Sequence, residues 1–172
     1  PGAYFVDSDG KKQFSGNGVF ADLTCFSFHP VKHIATGEGG MITTNNPELF
    51  KKVSLYRTHG ITKDVELMSQ NPGGWYYEMQ ELGYNYRLSD IQAALGLSQL
   101  MKLDQSLIRR NEIAARYNSA FAGIDAIKTP KVADGIYHAY HLYVIQVEDR
   151  LGLYNYLREN KIYAQVHYIP VH

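Results

Sequence analysis

The sequence predicts an α/β protein. Three observations carry that reading. A strand-length apolar run at 21–28 is followed by a second at 39–44, a capped helix opens directly afterwards at Asn46-Pro47, and residues 141–169 read strand–helix–strand. At 172 residues the chain makes one domain, or one and a small second, and is long enough to bury a core.

Taken in order, residues 1–20 are rich in Gly, Asp, Lys and Ser and read as loop or hairpin. Ala21 to Phe28 reads as a buried strand, with Leu23, Cys25 and Phe26 among its apolar members. Gly39 to Thr44 reads as a second strand, and the polar segment His29 to Glu38 lies between the two. Asn46 caps a helix and Pro47 suits its first turn; the helix runs through Tyr56 and ends near Gly60. Residues 62–82 show no clear period, and Asn71-Pro72-Gly73-Gly74 marks a turn within that loop. Ser89-Asp90-Ile91-Gln92 is a capping-box pattern. Ile91, Ala94, Leu95, Leu100 and Leu103 follow at helical spacing, and the stripe Leu95, Leu100, Leu103 is expected in the core. Asp104 marks a break or bend, after which Ile113, Ala114, Tyr117 and Phe121 continue an apolar face to Gly123. His141 to Val147 alternates like a half-buried strand, Asp149 can cap a helix through Asn160, and Tyr163 to Ile169 reads as a further strand. The change of pattern puts a domain boundary near 104–124.

Composition excludes several classes. Hydrophobic residues at 45% and charged residues at 20% describe a globular chain. Seventeen Lys+Arg balance seventeen Asp+Glu, which argues against nucleic acid, because phosphate-backbone affinity needs a cationic excess. The single Cys25 rules out an internal disulfide framework and fits a reducing compartment, so a cytoplasmic protein is expected. No apolar run approaches the roughly 18 residues that span a bilayer, and no membrane partner is expected. The seven histidines include His29-x3-His33 and His138-x2-His141, but no carboxylate or cysteine cluster completes a ligand set, so no metal is expected. His138 and His141 read as strand-entry or surface residues. The sequence starts Pro1-Gly2-Ala3 without Met and stops at Val171-His172, and the expectation is a fragment of a longer protein.

One segment can carry chemistry: Ser27-Phe28-His29-Pro30-Val31-Lys32-His33-Ile34-Ala35-Thr36-Gly37-Glu38-Gly39-Gly40. It places a lysine in a short turn after a strand, with Pro30 stiffening the approach and glycines allowing close backbone packing. A lysine held against apolar neighbours is disfavoured as the charged form and becomes a nucleophile able to form a Schiff base. Ser27, five residues upstream, could bind a phosphate oxygen. An ordinary exposed turn lysine would show the same residue types, so the pattern alone leaves the chemistry open.

Ser27-x-His29-x-x-Lys32 followed by Gly37-Glu38-Gly39-Gly40 resembles the Schiff-base segment of the DegT-type sugar aminotransferases, pyridoxal-phosphate (PLP) enzymes of the aspartate aminotransferase fold. Trp75-Tyr76-Tyr77-Glu78-Met79-Gln80 with Gly83 to Gly96 resembles a second signature of that family, and Gln165-Val166-His167-Tyr168-Ile169-Pro170 a third. The resemblance implies α/β architecture of the PLP-dependent transferase fold type I. Residues 1–104 would form the C-terminal part of the PLP-binding large domain, and residues 105–172 part of the small α/β domain. It implies Lys32 as the catalytic Schiff-base residue and Ser27, His29 and Asn85 as cofactor-binding residues, Asn85 reaching the neighbouring subunit's cofactor in a homodimer. Arg87, His167 and Tyr168 are implied at the substrate.

The implied cofactor is pyridoxal 5'-phosphate, and the implied reaction is amino transfer from glutamate to a keto group of a nucleotide-linked sugar, with ping-pong kinetics. Residues 75–103 most resemble the subgroup that aminates carbon 4 of a UDP-linked 4-keto-6-deoxy-N-acetyl sugar on the route to pseudaminic acid. Family relatives that dehydrate sugars carry histidine in place of the lysine, so Lys32 favours transamination. The family's Asp for the pyridine nitrogen, its phosphate loop and its aromatic ring stacker lie upstream of this region and are not among these residues. By itself the chain is expected to bind PLP poorly or not at all. Two other readings stand beside this one: a non-catalytic remnant of the fold, and a lysine Schiff-base enzyme that works without PLP.

Overall fold

The first hairpin is set by one carboxylate. Asp7 accepts hydrogen bonds from the backbone of Asp9 (3.1 Å) and Lys11 (2.8 Å) and from the Gln13 amide (2.7 Å), which turns the chain between β1 (Tyr4–Val6) and β2 (Lys12–Phe14). The two strands are antiparallel, with Tyr4 opposite Phe14. The computed structural model describes residues 1–170; Val171 and His172 lie outside them.

Strands β3 (Thr24–Ser27) and β4 (Gly40–Thr43) pair antiparallel, with Ser27 opposite Gly40. Both apolar runs therefore form strands, but shorter than the sequence suggests, and the first is not buried. Cys25 and Leu23 are exposed, Phe26 is half-buried, and only Phe28, just past the strand, is in the core. A two-stranded ribbon has two open faces, and β-branched and aromatic content does not say which of them is covered.

Helix α1 (Pro47–Arg57) begins where expected. The Asn46 side chain accepts from the backbone of Glu48 (2.9 Å) and Leu49 (3.2 Å), and Pro47 occupies the first turn, where a missing N–H costs nothing. Its end is pinned by Gly60 (φ 69°), whose N–H returns to the Leu55 carbonyl at 2.9 Å. The 62–82 region, expected as loop, contains the small ladder β5 (Ile61–Thr62) with β6 (Glu78–Met79) and a single 3-10 turn at Val65–Leu67. Glu78 ties this loop together. Its carboxylate accepts from the Ser69 backbone (2.8 Å), the Ser69 hydroxyl (2.7 Å) and the Tyr76 hydroxyl (3.0 Å), which holds it below its ordinary pKa.

Helix α2 (Asp90–Leu100) opens with both halves of the capping box between Ser89 and Gln92. The break with α3 (Leu103–Phe121) falls at Met101–Lys102, slightly before Asp104. Leu103, Leu107 and Ala114 of α3 are buried. Leu95 and Leu100 are exposed, so only Leu103 of the expected core stripe is in the core. An apolar stripe shows that a helix face wants cover, not that the cover lies within these residues.

Strand β7 (Ile136–Tyr137) returns to the first hairpin and pairs antiparallel with β1, Tyr4 opposite Tyr137, giving the order β2-β1-β7. The Tyr4 and Tyr137 rings stack at 4.9 Å. Beyond it, His141 to Val147 keeps its alternating burial but makes only one bridge among the described residues, Lys128 to Gln146. Helix α4 (Arg150–Glu159) is capped by Asp149, which accepts from Gly152 N at 2.8 Å. Tyr163 to Ile169 is not a strand: the segment is exposed and joins no ladder among the described residues. Alternation fixes which side chains turn inward, but a strand exists only with a partner backbone, so the strand–helix–strand unit read at 141–169 is reduced to its helix.

The core is small. Phe28 and Ile34 meet Leu103, Leu107 and Ala139, with Ala3, Phe26 and Tyr137 packed against them. Thr36 is buried beside this cluster, its N–H bonded to the Phe28 carbonyl (3.0 Å) and its hydroxyl donating to the Glu38 carbonyl (2.7 Å). A Cβ on Gly39 (φ 155°) would lie 2.5 Å from Thr36 Oγ1 and 2.9 Å from Leu88 Cδ1. Gly37 (φ 84°) has open space around the same position. Gly39→Ala is therefore expected to destabilise by about 1–3 kcal/mol and more than Gly37→Ala, measured by chemical unfolding. Equal losses would show that Thr36 gives way.

Candidate functional site

The lysine loop is closed by two backbone bonds. Phe28 N donates to the Gly39 carbonyl at 2.8 Å, and Thr36 N donates to the Phe28 carbonyl at 3.0 Å. Inside them His29-Pro30-Val31-Lys32 makes a four-residue turn, Lys32 N donating to the His29 carbonyl at 2.9 Å. Pro30 takes the second position, where its fixed φ suits the turn. Lys32 thus leaves the turn with its backbone fixed, and two residues later Ile34 is buried in the core.

The side chain of Lys32 is drawn to a distant segment. Its Nζ lies 3.3 Å from Nε2 of His141, 109 residues away. Beside it, His33 Nε2 donates to the Ala139 carbonyl at 2.7 Å, and the His33 and His141 rings lie 5.8 Å apart. Helix α3 holds the same segment from below. Arg110 donates to the carbonyls of Tyr140 (2.9 Å) and His141 (3.3 Å), and Asn111 donates to the carbonyl of His138 (3.1 Å). Tyr140 sits at φ 46°, a left-handed conformation unusual for a bulky residue, and its N–H donates to His138 Nδ1 at 3.0 Å.

Both imidazoles at this seam are held below their ordinary value of 6.5. Partial burial is the larger cause for His33, with the Arg110 charge, the Pro1 amino group and the neighbouring His141 adding to it against the opposing Ala139 bond. For His141 burial again leads, followed by the charges of Lys32, Arg110 and His167. Neither ring therefore adds a cation near neutral pH. Lys32 makes no ion pair with a carboxylate among the described residues, and Nδ1 of His141 is buried with no hydrogen-bond partner.

The other residues singled out from the sequence are spread around this point. Ser27 is exposed and its hydroxyl accepts from His29 N at 3.4 Å. His29 Nε2 lies 3.8 Å from Glu38. Asn85 and Arg87 are exposed on the 84–87 loop, which lies along the end of α1 through Tyr84 N to the Tyr56 carbonyl (2.7 Å) and Tyr86 N to the Arg57 carbonyl (2.9 Å). Helix α2, which follows that loop, is joined to the lysine loop by Gln92, whose amide donates to the Glu38 carbonyl at 2.9 Å. His167 and Tyr168 are exposed, their rings edge-on at 4.5 Å, in a cleft of about 640 Å³ shared with Arg150 and Tyr154. The structure thus brings Ser27, His29 and Lys32 together, and no described hydrogen bond or ion pair joins Asn85, Arg87, His167 or Tyr168 to Lys32. His141, read from the sequence as a strand-entry or surface residue, is the partner of Lys32. Its inward position in the 141–147 alternation was a signal of burial but named no partner.

The model of the DegT/DnrJ/EryC1/StrS aminotransferase family matches residues 9–172. The chain belongs to this family. The spore coat polysaccharide biosynthesis protein SpsC of Bacillus subtilis is 44% identical over 162 residues, which is 90% of this chain and 42% of that protein. A Campylobacter jejuni protein named UDP-4-amino-4,6-dideoxy-N-acetyl-beta-L-altrosamine transaminase is 43% identical over 160 residues, 90% of this chain and 40% of its own length. Among solved structures, the putative sugar aminotransferase Spr1654 of Streptococcus pneumoniae in its PMP-form superposes with TM-score 0.81 at 32% identity, covering 99% of this chain and 42% of that one. The α/β fold of this DegT-family chain is therefore that of sugar aminotransferases over about 42% of their length, and the same Streptococcus protein has been solved in a PLP-form.

The residues of this family member fit PLP in kind. They offer a half-buried primary amine for its aldehyde, an exposed hydroxyl at Ser27 for its phosphate, and surroundings of Lys32 that present cations and neutral rings with no paired carboxylate. Protonation should loosen this seam. An imidazole whose folded pKa is lowered binds fewer protons folded than unfolded, so its contribution is complete above 6.5 and is lost as pH falls below it. The urea midpoint should drop between pH 7.5 and 5.5, and drop less in His33→Gln, which keeps a donor for the Ala139 carbonyl. An unchanged slope in that variant would reject His33 as a source of acid sensitivity.

Proposed function

We propose that this chain is the lysine-bearing part of a PLP-dependent aminotransferase that transfers an amino group from glutamate to carbon 4 of a UDP-linked keto-sugar, the product class named for its Campylobacter relative. The observation that carries the proposal is the Lys32 amine, half-buried at the end of a fixed turn and hydrogen-bonded to an imidazole held below its ordinary pKa. Identity does not choose the sugar, since SpsC stands at 44% and the altrosamine transaminase at 43%. The choice of carbon 4 and of UDP rests on the resemblance of residues 75–103.

When bound, PLP supplies the electron sink that stabilises negative charge on the substrate carbon. Lys32 would hold its aldehyde and, once released, take up and return the proton at Nζ. Ser27 would donate its hydroxyl to the phosphate, and His29 would border the cofactor. Asn85 would reach the phosphate held by a second copy of the chain, which makes a homodimer the working unit. Arg87, His167 and Tyr168 would contact the sugar nucleotide. We further propose that residues 1–104 belong to the large domain and 105–172 to the small one. On that division the β1–β7 pairing and the Lys32–His141 contact form the seam between the two.

The test uses the full-length protein that contains this chain. With PLP, glutamate and candidate UDP-4-keto-sugars, the aminated product is expected by mass spectrometry, and PLP addition should give the visible absorbance of a lysine-bound cofactor. Lys32→Ala should lose that absorbance and reduce turnover by at least about 10²–10⁴-fold, the range for a positioned acid–base group. The isolated 172-residue chain should retain no PLP on gel filtration. A full-length protein that gives no band and no product would reject the cofactor and leave the remnant reading. Product without PLP would favour a lysine acting alone.

A further inference from the structure

We propose that His141 is the positioning residue for Lys32: its Nε2 holds the lysine amine at the site, and among the described residues no other polar group bonds that amine. The inference rests on the reading of Lys32 as the reactive amine and adds a residue to it.

The geometry is specific. Nζ of Lys32 and Nε2 of His141 are 3.3 Å apart, within hydrogen-bond reach. An unattached lysine side chain is among the richest in rotamers, so a single fixed partner removes much of the disorder that an attacking amine would otherwise have to lose. His141 can be that partner because its backbone is itself held. Its carbonyl and that of Tyr140 both accept from Arg110, Tyr140 is locked at φ 46° with its N–H on His138, and Ala139 is buried while accepting from His33.

The second nitrogen makes the assignment sharper. Nδ1 of His141 is buried and makes no hydrogen bond. A histidine kept only for structure normally uses both ring nitrogens, because leaving one buried and unpaired is costly. Among the described residues, the ring's one hydrogen-bond partner is Lys32. With the amine donating to Nε2, the ring hydrogen sits on Nδ1. Should the shared proton move to Nε2, the same hydrogen bond persists with its direction reversed, and Nδ1 keeps its hydrogen throughout. An imidazole therefore holds the amine both before and after it gives up a proton, which a carboxylate would do only by fixing it as a cation. Among the described residues, the charges that act on His141 are those of Lys32, Arg110, His167 and the amino group of Pro1, with the His33 ring at 5.8 Å, and none of these is a carboxylate.

The experiment uses full-length protein freed of cofactor. First, the rate at which Lys32 captures added PLP is read by borohydride trapping and mass of the Lys32 peptide. His141→Phe, which keeps the ring volume, is expected to slow capture roughly tenfold, the size of one hydrogen bond, with an unchanged melting temperature. His141→Gln, which can still present a polar atom to the amine, should recover part of the rate. Second, the ring nitrogens of His141 are read by ¹⁵N NMR without any cofactor. Wild type should show the Nδ1–H tautomer, and Lys32→Met should lose that preference. Capture unchanged in a folded His141→Phe protein, or a tautomer indifferent to Lys32→Met, overturns the proposal. Were wild type not to capture PLP at all, the cofactor reading would fail, while the NMR comparison would still decide whether His141 holds Lys32. If His141→Phe does not fold, His141→Gln and the NMR arm decide it.

Discussion

Everything near Lys32 depends on one small apolar contact. Phe28 and Ile34 bracket the lysine turn and pack on Leu103 and Leu107 at the start of α3 and on Ala139 beyond β7. Burying side chains of this size contributes about 1.5–3 kcal/mol each, against about 1 kcal/mol for an ordinary hydrogen bond. The apolar cluster therefore decides that these segments meet. The bonds from Arg110, Asn111 and His33 then decide in what register. A shift of one residue along 138–141 would break those polar bonds and turn His141 away from the lysine.

The electrostatics of the seam follow from what it leaves out. A carboxylate within 4 Å of an amine interacts by several kcal/mol at the effective dielectric of a protein surface, and would hold the amine as a cation. The ion pairs among the described residues, His29 with Glu38, Lys51 with Glu48 and Arg109 with Glu112, lie at exposed positions, and none includes Lys32. The lysine is surrounded instead by imidazoles that burial and neighbouring cations keep from charging. Such a setting stabilises an anion brought in from outside, such as a phosphate or a carboxylate, and leaves the amine uncommitted to any acid among the described residues.

The parts of the fold that could be read from sequence are those written in local chemistry. Asn46-Pro47, the Ser89–Gln92 box and Asp149 each satisfy helix N–H groups within four residues, and all three helices begin where those residues say. The loop Ser27 to Gly40 was legible for the same reason, its turn set by Pro30 and its tight return by glycines. Strands were less so. The alternation from His141 to Val147 survives as alternating burial, yet a ladder needs a partner whose position no local pattern gives. The Leu95 and Leu100 face failed similarly, because helical spacing encodes a need for cover and not its source. In the site, the resemblance singled out Lys32 and Ser27, and their roles belong to the proposal. The pairing of Lys32 with His141, across 109 residues, follows only from how the core closes.

That division bears on how the chemistry is built. On the proposed role, a lysine that binds, releases and carries a proton needs its own freedom, so the site would not gain accuracy by stiffening it. Accuracy has to come from the partner. The structure places the flexible amine on a turn fixed at its backbone, and sets opposite it a ring whose main chain is bonded to Arg110 and follows the left-handed Tyr140. On the same proposal, holding the partner rather than the amine would let one hydrogen bond guide Lys32 without consuming the mobility that proton carriage requires. The cost is a buried nitrogen with no partner and a bulky residue in a left-handed conformation, which a fold chosen for stability alone would avoid. Strain and an unsatisfied polar atom fall together on the short segment that faces the Lys32 amine, so the stability given up here is concentrated at the residue we propose as reactive.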